Sequence, residues 1–406
     1  MSMLTLLNGE NGENGENGEN GENGEAGTLS QIDQFVGRLV SPYTSGALIS
    51  TRDGIVGPWK EVIGQPDQSP TDFSSEMTRW SRRVRSHVLH FELVSELEFF
   101  ANKDQGDRQN GKIKVAFPEG EKNNKKGRRT YIVGQIAKLD RPQPDTFRQC
   151  QLPHVRGYAD LRRDRSAEIL SQLSGHVDFF SSIGFLHRER TRWTNELIAV
   201  LLRACVTAEM RMKHSLACRR PVEYSAQVQP MIQTPGHGTF PSGHAVESFM
   251  IAYVLSELIT DREEVVYGQN NRVWRDQLMR MAARISVNRV VAGVHFPVDN
   301  AAGQVLGLCL GQYFVARCKG RKATFRGWKF KGEKYGSRDF PWREIDQVVC
   351  GGASRPGYLS PRSSFEIPES CPQAGDDARS PLNWLWRQAE AEWCDVNHDC
   401  TATARS

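Results

Sequence analysis

PVDNAAGQVLGLCLGQYFVA, residues 297–316, opens on a proline and carries Gly303, Gly307 and Gly311 at intervals of four. Proline suits the first turn of a helix, where its missing N–H costs nothing. Glycine at every fourth position lays a smooth groove along one helical face, where another helix can approach closely. The stretch therefore predicts a packed helix. Three further helical patterns precede it. The first runs from about Thr194 to Ser215, with Leu197, Leu201, Ala204, Ala208 and Met212 on one stripe. The second starts at Pro241-Ser242 and runs through Ile259, and the third covers about 274–293.

Outward from this core the signals weaken. Residues 8–25 are six tandem copies of Asn-Gly-Glu, without one apolar side chain to offset the entropy of ordering, so 1–27 is expected to be a disordered tail. Residues 28–192 are expected to form a mostly helical N-terminal region. Within it, 72–101 spaces Phe73, Met77, Trp80, Val84, Val88, Leu93 and Leu97 in helical fashion. Residues 104–129 are rich in Asp, Asn, Gly and Lys, and no aromatic residue interleaves with the closing run of Lys and Arg. A solvated loop is the expectation there, not a nucleic-acid contact. The extension 318–406 is Gly-, Lys-, Pro- and Ser-rich. Its basic residues interleave with Phe325, Trp328 and Phe330, read as a snorkelling surface segment, and an amphipathic piece lies around Trp384 to Trp393.

Composition bounds the remaining choices. The 406 residues carry a formal charge of +4, too near neutrality to argue for nucleic acid or an anionic membrane. Mean hydropathy is −0.53, and the longest apolar stretches, 245–260 and 301–317, are broken by Glu247 and Glu257 or by Gln304 and Gln312. A membrane-spanning chain is not expected. Nine scattered cysteines without a CxxC pair, and no basic-then-apolar leader, make a cytoplasmic protein with reduced thiols the expectation. Long helical surfaces are compatible with a homodimer.

Three short clusters carry chemistry when taken together. Lys213 and Arg220-Pro221 sit at the end of the first helix, Pro241-Ser242-Gly243-His244 opens the second, and Asn288-Arg289, His295 and Asp299 span the end of the third and start of the fourth. Three cations at the ends of separate helices can converge on one small multivalent oxyanion, and arginine suits such ligands by bidentate hydrogen bonding. The Gly243 N–H at a helix N-terminus and the Ser242 hydroxyl add uncharged donors. One histidine can act as nucleophile or ligand and the other as proton donor. Asp299 lies one helical turn beyond His295, where it can accept from Nδ1 and leave Nε2 free.

The pattern Lys–six residues–Arg-Pro, then Pro-Ser-Gly-His, then Arg–five residues–His–three residues–Asp resembles the signature shared by phosphatidic-acid phosphatase type 2, bacterial class A acid phosphatases and vanadium-dependent haloperoxidases. All spacings are intact. Asn288 stands where that superfamily usually has serine, which is expected to alter the hydrogen bonding around the site and not to remove it. The resemblance covers about 193–317. It implies an all-α helical bundle with the site at its centre, in which Lys213, Arg220, Ser242, Gly243 and Arg289 bind the oxyanion. His295 would be nucleophile or covalent ligand, His244 the acid–base and Asp299 the orienter of His295.

Two reactions fit such a pocket, because phosphoryl transfer passes through the trigonal-bipyramidal shape that vanadate adopts at rest. The first expectation is a vanadate-dependent haloperoxidase, oxidising halide, bromide above all, with hydrogen peroxide on vanadate held by His295. It follows from His237, four residues before Pro241, where algal bromoperoxidases similarly carry a second active-site histidine, and from the long segment ahead of the core. The alternative is a soluble phosphatase of a phosphorylated small molecule, a phosphomonoester or an isoprenyl diphosphate, working through a phosphohistidine at His295. A non-catalytic phosphate-binding scaffold is a third reading, weakened because both histidines and Asp299 are present.

Overall fold

Residues 141–322, which carry all four expected core helices, are strung between two neighbouring strands of one sheet. The computed structural model describes residues 77–101, 112–123, 129–260, 271–351, 355–367 and 380–393, with a few more between 46 and 57. The Asn-Gly-Glu tail lies outside the described residues. The chain divides into a unit of residues 18–88 and a unit holding 89–406, and the elements that build the site belong to the second. In chain order the described elements are α1 (Arg82–Val94), which crosses the division, then β1 (Glu98–Ala101), β2 (Lys112–Asn123), β3 (Arg129–Asp140), α2 (Leu152–Tyr158), α3 (Arg162–Gly175), α4 (Asp178–Gly184) and α5 (Arg192–Leu216). There follow α6 (Pro221–Tyr224), α7 (Gly243–Thr260), α8 (Asn271–Val291), α9 (Pro297–Lys319), β4 (Ala323–Lys331), α10 (Trp342–Gly351), β5 (Leu359–Ile367) and α11 (Pro381–Ala391).

The four core helices stand where their apolar spacing placed them. Helix α7 is buried along nearly its whole length, as a helix apolar on every side must be, and packs on both α8 and α9. The glycine strip of α9 is the seam. A Cβ on Gly303 would lie 2.7 Å from the Ser242 carbonyl oxygen, and one on Gly307 would lie 2.3 Å from that of Val246. Backbone therefore meets backbone along this contact. The approach also sets the Ser242 N–H 3.0 Å from the Asp299 carbonyl, which ties the start of α7 to the start of α9.

The expectation of an all-α fold needs correction, because a five-stranded sheet of order β1-β2-β3-β4-β5 flanks the helices. All neighbouring pairs are antiparallel except β3 and β4, which run parallel with Ala137 opposite Trp328. Parallel neighbours require a long crossover, and here that crossover contains the helical core. The loop expected over 104–129 includes β2, and the helix expected over 72–101 ends at Val94, before β1. Likewise, the aromatic residues of the segment read as surface are inward-facing residues of β4: Phe325, Trp328 and Phe330 are buried. A register shift between Arg326 and Trp328 brings Phe325 and Trp328 to the same side despite their odd spacing. A Cβ on Gly327 would sit 1.8 Å from the Gln135 carbonyl oxygen, so only glycine lets β4 lie this close to β3.

The C-terminal amphipathic piece is α11. Trp384 is buried edge-on against Trp193 with ring centroids 5.2 Å apart, and Glu392 accepts from the Trp193 and Thr194 N–H groups at the start of α5. Those donors lack intrahelical acceptors, and a carboxylate there also meets the positive end of the helix dipole.

Candidate active site

Each motif residue sits at a helix end, and the ends converge. Lys213 lies in the last turn of α5, Arg220 immediately precedes α6, and Ser242 precedes α7, whose first two residues are Gly243 and His244. Arg289 occupies the last turn of α8, while His295 and Asp299 flank the entry to α9. Lys213, Arg220, Arg289, Ser242, His295 and Asp299 are each at most 4% exposed. Burying three cations together is costly unless anionic charge or hydrogen bonds compensate.

His295 is fixed from both sides. Its Nδ1 is 3.1 Å from Asp299 Oδ2 and 3.1 Å from Thr239 Oγ1, and its Nε2 is 3.0 Å from Arg220 Nη1. Guanidinium only donates, so Nε2 must carry the lone pair and Nδ1 the proton. The expected tautomer, with Nε2 unprotonated, follows from partners on both ring nitrogens. Asp299 Oδ2 also accepts from Thr239 Oγ1 at 2.6 Å and from the Phe296 N–H at 2.8 Å. Burial pushes the Asp299 carboxyl up to about 7, against the pull of these hydrogen bonds and of Arg220 and Lys213. Burial and the charges of Arg220 and Lys213 hold the His295 imidazole well below its ordinary range, hence neutral.

Two of the buried side chains keep donors that meet no acceptor among the described residues. Arg289 Nη2 donates to the Ile169 carbonyl and to Gln172 Oε1, whereas its Nε and Nη1 are buried with no protein acceptor. Ser242 Oγ is likewise buried and unpartnered. It does not cap α7 as a serine before a helix ordinarily would. Buried donors of this kind call for an explanation, and an oxyanion supplies one. Burial pushes the Arg289 guanidinium down to about 10, which leaves it charged at neutral pH. His244 is half-buried, with Nε2 3.3 Å from the Gln172 carbonyl oxygen. A carbonyl only accepts, so the neutral ring is protonated at Nε2 and presents Nδ1 as base. His237 meets the site through Arg220, which donates to its carbonyl and to its Nδ1 at 3.0 Å each.

Sequence reasoning missed Thr239, Gln172 and His176. Thr239 lies two residues before the Pro241 motif, but a hydroxyl there gives no signal of its own. The others come from α3 and its C-terminal end. Asn288 bonds to α3: its Nδ2 donates to Gln172 Oε1 at 3.0 Å and to Glu168 Oε1 at 2.9 Å, and its Oδ1 accepts from Arg165 Nη1 at 3.0 Å. The His176 ring, 2% exposed, lies 5.2 Å from that of His244, with Nε2 3.1 Å from Glu247 Oε2.

Burial and the Arg289 charge push the His176 imidazole down to about 4. Between pH 6.5 and 4 the unfolded chain therefore binds a proton at this site that the folded chain refuses, and stability falls as pH falls. The shift corresponds to about 3 kcal/mol at most. His295 and His244 act in the same direction. Asp299 opposes them, because folded protein keeps a carboxyl proton there up to about pH 7 that the unfolded chain has lost. Melting temperature is accordingly expected to drop on acidification from pH 6.5 to 4.5, and to drop less in His176→Phe. Equal slopes for the two proteins would overturn this assignment.

The family model "PAP2 superfamily" matches residues 192–322. That segment is similar to the PAP2 superfamily. It holds every motif residue named above, whereas Gln172 and His176 lie outside it. The bacitracin transport permease protein BcrC of Bacillus licheniformis is 24% identical over 177 residues, covering 42% of this chain and 81% of the relative. Among solved structures, a transmembrane PAP2-type phosphatidylglycerolphosphate phosphatase from Bacillus subtilis matches with a TM-score of 0.27 and 18% identity, covering 41% of this chain and 77% of its own. No helix among the described residues of this chain is long and apolar enough to cross a membrane. The PAP2 match favours the phosphatase alternative and lends no support to the haloperoxidase expectation.

Proposed function

We propose that the protein is a phosphatase, hydrolysing a phosphomonoester or the terminal phosphate of a diphosphate through a phosphohistidine at His295. The observation that carries the reading is the clamped imidazole of His295, whose Nε2 lone pair faces Arg220 while Nδ1 is held by Asp299 and Thr239. A phosphoryl group bonded to that nitrogen lies within reach of the guanidinium. Arg289 Nε and Nη1, Ser242 Oγ and the ammonium of Lys213 supply further donors. As the first residue of α7, Gly243 has an N–H with no intrahelical acceptor. A terminal phosphoryl group has three non-bridging oxygens to use such a set, and a diester has two.

In the first step His295 Nε2 attacks phosphorus. The N–P bond forms as the ester P–O bond breaks, and protonated His244 gives its proton to the leaving oxygen. In the second, water attacks the phosphohistidine while His244 takes a proton from it, and the P–N bond breaks to return the lone pair to His295. Negative charge on the three equatorial oxygens is met at each stage by donors already in place. Burial and the Arg289 charge hold His244 well below its ordinary range. A phosphate dianion in the same pocket opposes that field and restores the basicity needed for proton donation.

Full-length protein is expected to release nitrophenol from p-nitrophenyl phosphate, with strong inhibition by orthovanadate as a mimic of the trigonal-bipyramidal state. Absence of hydrolysis, with bromide oxidation by hydrogen peroxide on added vanadate, would replace this reading with the haloperoxidase.

A further inference from the structure

Gln172 lies outside the PAP2-matched segment, yet it bonds to two groups of the site by two different atoms. We propose that Gln172 is a positioning residue for the hydrolysis: its side-chain oxygen aims Arg289 at the phosphoryl group, and its backbone carbonyl holds His244 in one tautomer. The inference rests on the phosphatase reading of the same site.

The amide of Gln172 has only one orientation that fits its surroundings. Its Oε1 accepts from Arg289 Nη2 at 3.0 Å and from Asn288 Nδ2 at 3.0 Å, while its Nε2 donates to Glu168 Oε1 at 3.2 Å. Glu168 is itself held by Arg284, whose Nε and Nη2 reach its two oxygens at 2.7 Å each. Reversing the amide would set an NH₂ group against two donors and an oxygen against a carboxylate. With Nη2 tied to Gln172 and to the Ile169 carbonyl, Arg289 keeps Nε and Nη1 for an anion. A glutamine does this without neutralising the guanidinium, which a carboxylate in its place would do. Asn288 completes the device by reaching both Gln172 and Glu168.

Because the two contacts use different atoms, they can be separated. Gln172→Met removes the side-chain acceptor and keeps the backbone carbonyl, so Arg289 is loosened and His244 is not. A hydrogen bond to a charged group is worth enough that orthovanadate and inorganic phosphate are expected to bind about 10- to 100-fold more weakly, with KM for aryl phosphate rising alike. The turnover number is expected to stay within about threefold, and the ratio of rates for good and poor leaving groups to stay unchanged. A melted α3 would also release the Gln172 carbonyl, and loss of an ordered general acid would slow poor leaving groups selectively.

The experiment measures orthovanadate affinity by calorimetry and leaving-group dependence by kinetics, on wild type, Gln172→Met and Asn288→Ala. The Asn288→Ala variant changes no residue of α3 and is expected to weaken binding in the same sense by a smaller factor. If wild type binds no vanadate, the phosphatase reading fails. If wild type binds and Gln172→Met binds equally well, that reading stands and the role of Gln172 is refuted. A parallel loss on poor leaving groups refutes it too. Should Gln172→Met not fold, Asn288→Ala decides: weaker affinity supports the proposal, unchanged affinity overturns it.

Discussion

His295→Ala is expected to lower kcat/KM on aryl phosphate by about 10⁴-fold or more, as removal of a covalent nucleophile does. That corresponds to roughly 5 kcal/mol of lost transition-state stabilisation. Neither His244 nor His237 can substitute in place. His244 has Nε2 committed to the Gln172 carbonyl, and His237 is bound to Arg220. Alanine leaves Arg220, Arg289, Lys213 and Ser242 in the pocket, so phosphate is expected to bind within about tenfold of wild-type affinity even as turnover disappears. Quenching during turnover of radiolabelled substrate should trap acid-labile label on wild type and none on the variant. Turnover within tenfold of wild type, or label persisting on the alanine protein, would assign the nucleophile elsewhere.

Gly307→Leu is expected to prevent folding, and Gly307→Ala to cost about 2–3 kcal/mol despite the better helix propensity of alanine. A Cβ at this position would lie 2.3 Å from the Val246 carbonyl oxygen and 3.0 Å from its carbonyl carbon. Those atoms belong to the backbone of α7 and cannot rotate away, so the two helices must separate. Separation strains the bond between the Ser242 N–H and the Asp299 carbonyl, and with it the juxtaposition of cage and nucleophile. Activity is therefore expected to fall along with melting temperature in Gly307→Ala. Gly157→Ala is the control. It sits in α2 with nothing within 4 Å of the added methyl, and a neutral or slightly stabilising effect is expected there. Equal melting temperatures for the two variants would refute the seam.

The site was largely legible in the sequence because its members are charges and imidazoles at helix ends, where spacing and chemistry can be read together. The structure joins Arg220, His295 and Asp299 by the hydrogen bonds that set the His295 tautomer, and buries Lys213, Ser242 and Arg289 at helix ends. Gln172 and His176 were illegible. On α3 a glutamine among Arg, Asp, Glu and Ser reads as a solvated face, and only tertiary packing reveals that it turns inward. The sheet escaped notice for a related reason. Strand β2 is laden with Lys, Glu and Gly, and β4 breaks its alternation at Gly327, so neither presents a clean period of two. The glycines of α9 were legible as a packing strip, but the identity of the partner helix was not.

Asp299 Oδ2 anchors the Phe296 N–H at the entry to α9 as well as the imidazole of His295. Architecture and reactivity thus share one oxygen. A descendant of this protein lacking the proposed hydrolysis would still be under pressure to retain the aspartate, simply to begin that helix properly. Survival of this carboxylate is consequently poor testimony that an enzyme is alive, and His295 is the more informative witness.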